Sequence, residues 1–414
     1  MAYHSTGHPA DEFGGMMVDK KGALAGVRIL DLTDERGIYG AKLVADLGAE
    51  VIRLEPPDGD PLRKRGPHID AVTEQESSLW YLFFASNRRF FAVDPESEDG
   101  REQIQKLVAR ADIVLSCPGT FALDAAQLAL ARQQRPELIV IDTSSFGTKG
   151  PWKDFLAPDL IAGALGGFCA TTGDVDTSPL KGFGELNFMV SGVYVAIAAL
   201  ASLYHMREKG SGQQVDVSVH ECIASCLEHV FMCYWYDDLL ATTIPALPRR
   251  ASLHWSNAYV VMQAIKGSIM ITPAPDFDRQ LAWLVEVDAF EDLLDEKYAD
   301  PVNYAATVKR MMEVLRAWVA TRDAKELFFE AQSRHAPYGW VLPIEEVAEN
   351  PQLQARQWWE TYSTAGKEIS GPGAPYQFSD TPWKMKPAEN PETQMQAILA
   401  DIGWDAEADK ETQI

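Results

Sequence analysis

The apolar residues of the first half of the chain fall into short unbroken runs. Residues 27–32, 51–54, 90–93, 113–115 and 138–141 are each rich in Val, Ile, Leu or Phe and close on a turn signal. Runs this short predict strands covered on both faces. Between them the apolar spacing shifts to three and four. Residues 39–47 have that spacing and stop at Gly48, a helix C-cap signal. Further helices are predicted from a cap at Asp94 or Ser97 to about 109, and over 123–132. Strands alternating with helices predict an α/β domain, its sheet largely parallel with helices on both sides.

Further along, a long apolar helix is predicted from 187 to 209, ending at Gly210-Ser211-Gly212. Residues 214–219 alternate and read as a strand, and 221–235 as a helix. Residues 186–204 carry no charge and approach the length that spans a bilayer. Their Ala, Gly and Ser content and the globular-looking segments beyond them predict a buried helix and no membrane. The Pro-rich, basic stretch 244–250 marks a boundary. Beyond it lies a smaller α/β unit with a strand at 268–271, helices across 276–295 and 302–333, and a return to loop and strand at 337–342. From 371 onward five prolines predict an irregular tail, closed by a short helix at 393–402. The expected organisation is an N-terminal extension (1–21), a large domain (22–240), a linker (241–255), a small domain (256–345) and a return to the large domain (346–414).

Composition narrows the function. The 414 residues carry a formal net charge of −23, which argues against nucleic acid as a partner because phosphate binding needs clustered cations. A small anionic ligand stays open, since charges are screened over about 8–10 Å. Five cysteines, an odd number mostly in apolar settings, predict reduced thiols in a cytoplasmic protein, with no disulfide framework and no metal site. Cys222 and Cys226 share a helical face and read as packing. Residues 1–17 lack an apolar core and predict no signal peptide. After the first strand the turn holds Asp34 and Glu35 where a dinucleotide fold needs glycines near pyrophosphate, which argues against NAD.

Several segments in order carry a family resemblance: 24–33 (LAGVRILDLT), 45–57 (ADLGAEVIRLEPP), 59–63 (GDPLR), 146–152 (FGTKGPW), 158–161 (PDLI), 210–217 (GSGQQVDV), 350–356 (NPQLQAR) and 381–383 (TPW). Together they resemble the class III (CaiB/BaiF-type) CoA-transferases over about residues 22–405. The resemblance implies a Rossmann-like large domain built from both chain ends, a smaller α/β domain and two protomers interlocked like chain links. It implies transfer of CoA from an acyl-CoA, such as succinyl-CoA, to a free carboxylic acid, with the thioester as substrate and no permanently bound cofactor. In that chemistry an enzyme carboxylate attacks the thioester, forming a mixed anhydride and releasing CoA thiolate.

The stretch 179–192 (PLKGFGELNFMVSG) is where the resemblance meets a departure. The family's nucleophilic aspartate stands four residues before the glycine that is Gly192 here, and that place holds Phe188. Three readings compete. Phe188 occupies the nucleophile's place and the chain is silent there; or a shifted loop lets Glu185 supply the carboxylate; or Asp159 or Asp174 acts. Read as extended chain, Glu185 is about 10 Å early. For CoA phosphates the candidates are Arg63, in the run Arg63-Lys64-Arg65, and Asn87, Arg88 and Arg89, which resemble the family's Asn-Lys-Arg element. The family's Asn-Phe-Arg element is replaced by Ser116-Cys117-Pro118-Gly119, and its glycine loop by residues 249–255, which keep His254. These departures are similar to those of the acid-lacking subunit in two-subunit family members. They imply a homologous catalytic partner in a heterodimer or heterotetramer. An active homodimer using Glu185, a CoA-binding scaffold without turnover, and a racemase of the same family are the alternatives. The last lacks a His in Ser144-Ser145-Phe146-Gly147.

Overall fold

The computed structural model describes residues 21–70, 77–119, 121, 123, 125–173, 177–239, 260–272, 277–364, 366–388, 391–401 and 404. Six strands form one parallel sheet: β1 (Arg28–Leu32), β2 (Glu50–Glu55), β3 (Arg89–Ala92), β4 (Ile113–Ser116), β5 (Ile139–Ser144) and β6 (Gln214–Ser218). Their order is β3-β2-β1-β4-β5-β6, reversing direction beside β1. Each expected strand of this sheet is present, with ends displaced by at most three residues. β4 and β5 are buried at every position, the burial their continuous apolar runs called for.

The chain divides into two compact units: 1–159 with 185–222 and 357–414, and 160–184 with 223–356. Residues 160–184 and 223–240, assigned from sequence to the larger domain, group with the second unit, and so do 346–356. The linker 241–255 lies outside the described residues.

In the first unit the helix Ile38–Asp46 crosses the helix Leu186–Lys209 at two glycines. A Cβ at Gly40 would lie 2.6 Å from Val195, and one at Gly192 would lie 2.8 Å from the Gly40 backbone nitrogen. Leu186–Lys209 is long and apolar enough to cross a membrane by length and composition, and half of that stretch is buried inside the protein. It ends at Gly210 in the left-handed conformation (φ 70°), where a side chain would be strained. The expected helix 221–235 is instead interrupted: Val219–Ala224, a 3₁₀ turn at Ser225–Leu227, then Glu228–Trp235.

The second unit has its own core, with Trp283, Leu284, Met311, Leu315 and Trp318 beneath a three-stranded antiparallel sheet. Those strands are β7 (Val260–Gln263), β8 (Ser268–Ile271) and β9 (Tyr338–Val341). Just ahead of the proline-rich tail stands an element not assigned from sequence, the antiparallel pair β10 (Trp359–Thr364) and β11 (Lys367–Pro372).

Candidate active site

The site is built where the helix Leu186–Lys209 begins. Glu185 is its N-cap residue, yet its side chain makes no cap. The orphan N–H groups of a first turn need acceptors, and Asp159 supplies them from a distance. One Asp159 oxygen accepts from the Phe188 backbone N–H at 2.9 Å, and the other from Asn187 Nδ2 at 2.8 Å. Asp159 is therefore placed as a cap in trans. Asp174 lies outside the described residues.

Phe188 is 3% exposed. A phenyl ring has no lone pair for an acyl carbon, so this place carries no nucleophile. Glu185 is nearer than extended spacing suggests. The chain turns into helix here, and at about 1.5 Å rise per residue three residues advance about 4.5 Å along the axis. The expectation of about 10 Å is corrected by that turn. The Glu185 carboxylate is held, however. Arg65 pairs with one oxygen, and Trp80 Nε1 donates to the other at 3.1 Å. The Arg65 guanidinium also lies 4.7 Å over the Trp80 ring, which stacks on Phe84 at 4.5 Å. Partial burial pushes the Glu185 carboxyl above its ordinary range; Arg65 and Trp80 oppose this, while Glu35 and Asp159 add to it. Trp80 was not singled out from sequence; its spacing of four from Phe84 is the only trace it leaves there.

The candidate CoA contacts lie elsewhere and are mostly committed. Arg63 is buried, bonds both oxygens of Glu55 and lies 4.4 Å over the Tyr81 ring. Arg88 is buried, donates to the Ile38 and Phe84 carbonyls and sits 3.3 Å from Asp31. Asn87 adopts φ 60° and acts as a peptide-like clasp: its Nδ2 donates to Asp46 and to the Lys384 carbonyl, and its Oδ1 accepts from Lys386 N–H. Arg89 is half-buried on β3. Arg63, Asn87 and Arg88, expected from sequence as phosphate contacts, have polar groups engaged inside the protein, because the ends of β1, β2 and β3 bring them against buried carboxylates and carbonyls. His254 lies outside the described residues.

Above the carboxyl ends of β1 and β2 lies a cavity of about 320 Å³, bounded by Thr33, Asp34, Glu35, Arg53, Pro61 and Phe121 among others. This is the crevice in which open parallel sheets bind ligands. Arg53 is the only cation among its described lining residues, and Asp31 and Asp60 share it at 3.0 and 2.6 Å. Cys117, in the segment that replaces Asn-Phe-Arg, is buried.

Comparison with known proteins now decides the family. The profile of CoA-transferase family III matches residues 24–396. The chain belongs to CoA-transferase family III. It is 30% identical over 389 residues to the BbsE subunit of succinyl-CoA:(R)-benzylsuccinate CoA-transferase of Thauera aromatica, covering 92% of this chain and 94% of the relative. It is 26% identical over 399 residues to succinate–glutarate CoA-transferase of Agrobacterium fabrum, with 93% and 97% covered. Among solved structures, a CaiB/BaiF family protein from Brucella suis superposes with a TM-score of 0.78 at 24% identity, covering 92% of this chain and all of that one. Rv3272 from Mycobacterium tuberculosis superposes at 0.72 and 22%, with 90% and 98% covered. This family III chain therefore has the fold its motifs implied, and family III enzymes take a CoA thioester as substrate without a permanent cofactor. Among the described residues no group of His, Cys, Asp and Glu is placed to hold a metal.

Proposed function

We propose that this chain is the non-catalytic subunit of a cytoplasmic two-subunit CoA-transferase, which moves CoA from an acyl-CoA such as succinyl-CoA to a free organic acid. The observation that carries this reading is the start of the helix Leu186–Lys209. Phe188 is buried in the nucleophile's place, and the neighbouring carboxylate is tied to Arg65 and Trp80. The mixed anhydride needs a free carboxylate oxygen, and a homologous partner carrying the aspartate supplies it. The similarity to the BbsE subunit supports a two-subunit arrangement and an aromatic dicarboxylic acid as acceptor. The interlocked arrangement of protomers is part of the same reading. Cysteines that stand as thiols, outside any disulfide, support the compartment.

The test is co-expression with homologues encoded nearby, followed by tagged purification and a transferase assay. A partner of similar size should co-purify. Glu185→Gln in this chain should leave turnover within about twofold, and Asp→Asn at the partner's nucleophile should lower it by at least about a thousandfold, the scale of losing a covalent nucleophile. A homodimer of this chain with full transferase activity would overturn the proposal.

The second reading, Glu185 as nucleophile in an active homodimer, draws on its position one helical turn from Phe188 and its raised pKa. Trapping with hydroxylamine during turnover would then modify Glu185; an unmodified Glu185 in an active preparation eliminates it.

A further inference from the structure

The Glu185 carboxylate sits in a place built by other elements. Arg65 follows the 3₁₀ turn Pro61–Lys64, and Trp80 lies in the helix Leu79–Phe84. Arg65 pairs with one Glu185 oxygen, and Trp80 Nε1 donates to the other at 3.1 Å. Neighbours other than Glu185 hold both donors. Arg65 lies 4.7 Å over the Trp80 ring, Trp80 stacks on Phe84 at 4.5 Å, and Phe84 meets Tyr39 edge-on at 5.8 Å. The Ser78 hydroxyl accepts from the Tyr81 N–H and donates to the Arg65 carbonyl. A guanidinium and an indole N–H fixed in this way make a ready carboxylate site.

Glu185 itself is loosely committed to that site. It is the N-cap residue of Leu186–Lys209 but makes no cap, and Asp159 accepts from the first turn instead. Its side chain can therefore leave Arg65 and Trp80 without opening the helix. Solvent reaches the pair: the Arg65 side chain is 34% exposed and that of Glu185 18%. Glu185 takes Arg65 Nη2, while Nη1 is buried without a hydrogen-bond partner, so the fork is only half used. Partial burial, with Glu35 and Asp159 nearby, already disfavours the Glu185 charge. The same surroundings disfavour a second anion, so a carboxylate enters here by exchange for that of Glu185. The exchange keeps the local charge and uses the volume that the glutamate vacates.

We propose that Arg65 and Trp80 form a binding site for the carboxylate of a small organic acid, which Glu185 fills as an internal stand-in until a ligand replaces it. The partly buried Trp80 and Phe84 and the exposed Leu186 offer apolar surface to the rest of the ligand. The proposal rests on the reading in which Glu185 is no nucleophile, and it gives the free acid of that reading a place in this chain. Glu185 competes for the place, so its removal lowers the acid concentration needed and leaves the rate at saturating acid as it was.

Isothermal titration of the purified full chain, together with any partner that co-purifies, tests this without CoA. Sodium benzoate is the probe and benzamide its uncharged counterpart. Glu185→Ala should bind benzoate at least about tenfold more tightly than the wild type, because a tethered competitor is gone, and benzamide should bind that variant at least about tenfold more weakly than benzoate. Glu185→Ser, a residue suited to an N-cap, should show the same gain. Added to Glu185→Ala, Arg65→Gln should weaken benzoate at least about tenfold and Trp80→Phe at least about threefold, the scale of losing hydrogen bonds to a charged group. Circular dichroism and melting temperature establish that each variant is folded; Glu185→Ser decides the matter if Glu185→Ala is not, and Trp80→Phe if Arg65→Gln is not. Folded Glu185 variants that bind benzoate no more tightly than the wild type, or not at all at about 10 mM, overturn the proposal. So does benzamide binding equal to benzoate, or benzoate binding that Arg65→Gln and Trp80→Phe leave unchanged. Failure here leaves co-purification, the test of the two-subunit reading, untouched.

Discussion

At Asp31 one buried carboxylate meets two guanidiniums. Arg53 Nη1 is 3.0 Å away and Arg88 Nε 3.3 Å, and Thr33 donates from both its backbone N–H and its hydroxyl. Burial pushes this carboxyl up, but the two cations and the Thr33 hydrogen bonds outweigh it and hold the pKa below the ordinary value. A depressed carboxylate stabilises the fold above its unfolded pKa of about 3.9, and that stability is lost as pH falls through the lower folded value. Asp31→Asn should therefore destabilise the chain by about 3–5 kcal/mol at neutral pH, as expected when one member of a buried ionic group is removed. It should also flatten the acid limb of a plot of melting temperature against pH. Glu185 behaves in the opposite sense. Its carboxyl is raised by burial, with Arg65 pulling it down. Arg65→Gln should move its titration further up, as read by carbon-13 NMR of labelled glutamate.

The element that organises the first unit is the crossing of Ile38–Asp46 with Leu186–Lys209. A methyl at Gly192 would lie 2.8 Å from the Gly40 nitrogen and 2.9 Å from Tyr39. Both are on the facing helix, so backbone must shift. Gly192→Ala should cost about 1–3 kcal/mol, the range for overpacking a tight contact, measured as a lower urea midpoint with an unchanged slope. The glycine was visible in the sequence as a family landmark, but its reason was not. Spacing shows that a helix is apolar; only its neighbour shows how closely it must be approached. The hairpin β10–β11 was missed because no element was assigned to residues 357–370; the proline-rich tail begins at 371, and only Pro372 falls within the hairpin, at its end, where a strand tolerates a missing donor.

Among the described residues, several large apolar side chains of the long helix are exposed. Val193, Ile197, Leu200 and Tyr204 repeat at helical spacing along one side of Leu186–Lys209 and are 38–69% exposed with Tyr194 between them. A continuous apolar stripe of this kind marks an interaction surface. Under the two-subunit proposal it is where the homologous chain packs. Ile197→Asp should then reduce co-purification of the partner at least tenfold while the melting temperature of the isolated chain holds within about 2 °C, since exposed substitutions usually change stability by under about 0.5 kcal/mol. Partner recovery equal to wild type would detach this stripe from the interface.

The sequence by itself determined the parallel sheet, its helices and the family. Strand burial and helix spacing are local patterns, and the motifs keep their order along the chain. It also placed Phe188 where a carboxylate was expected. Tertiary structure decided what the charged residues do. Arg63, Arg88 and Asn87 looked like a cationic edge because sequence shows which groups are charged and not which groups face them. Folding sets Arg63 on Glu55, Arg88 on Asp31 and two carbonyls, and Asn87 on the returning tail. It likewise brought Arg65 and Trp80, 105 residues before Glu185 in the case of Trp80, onto the Glu185 carboxylate at the start of the long helix. Partners separated by that much chain are joined only by the packing of the elements that carry them.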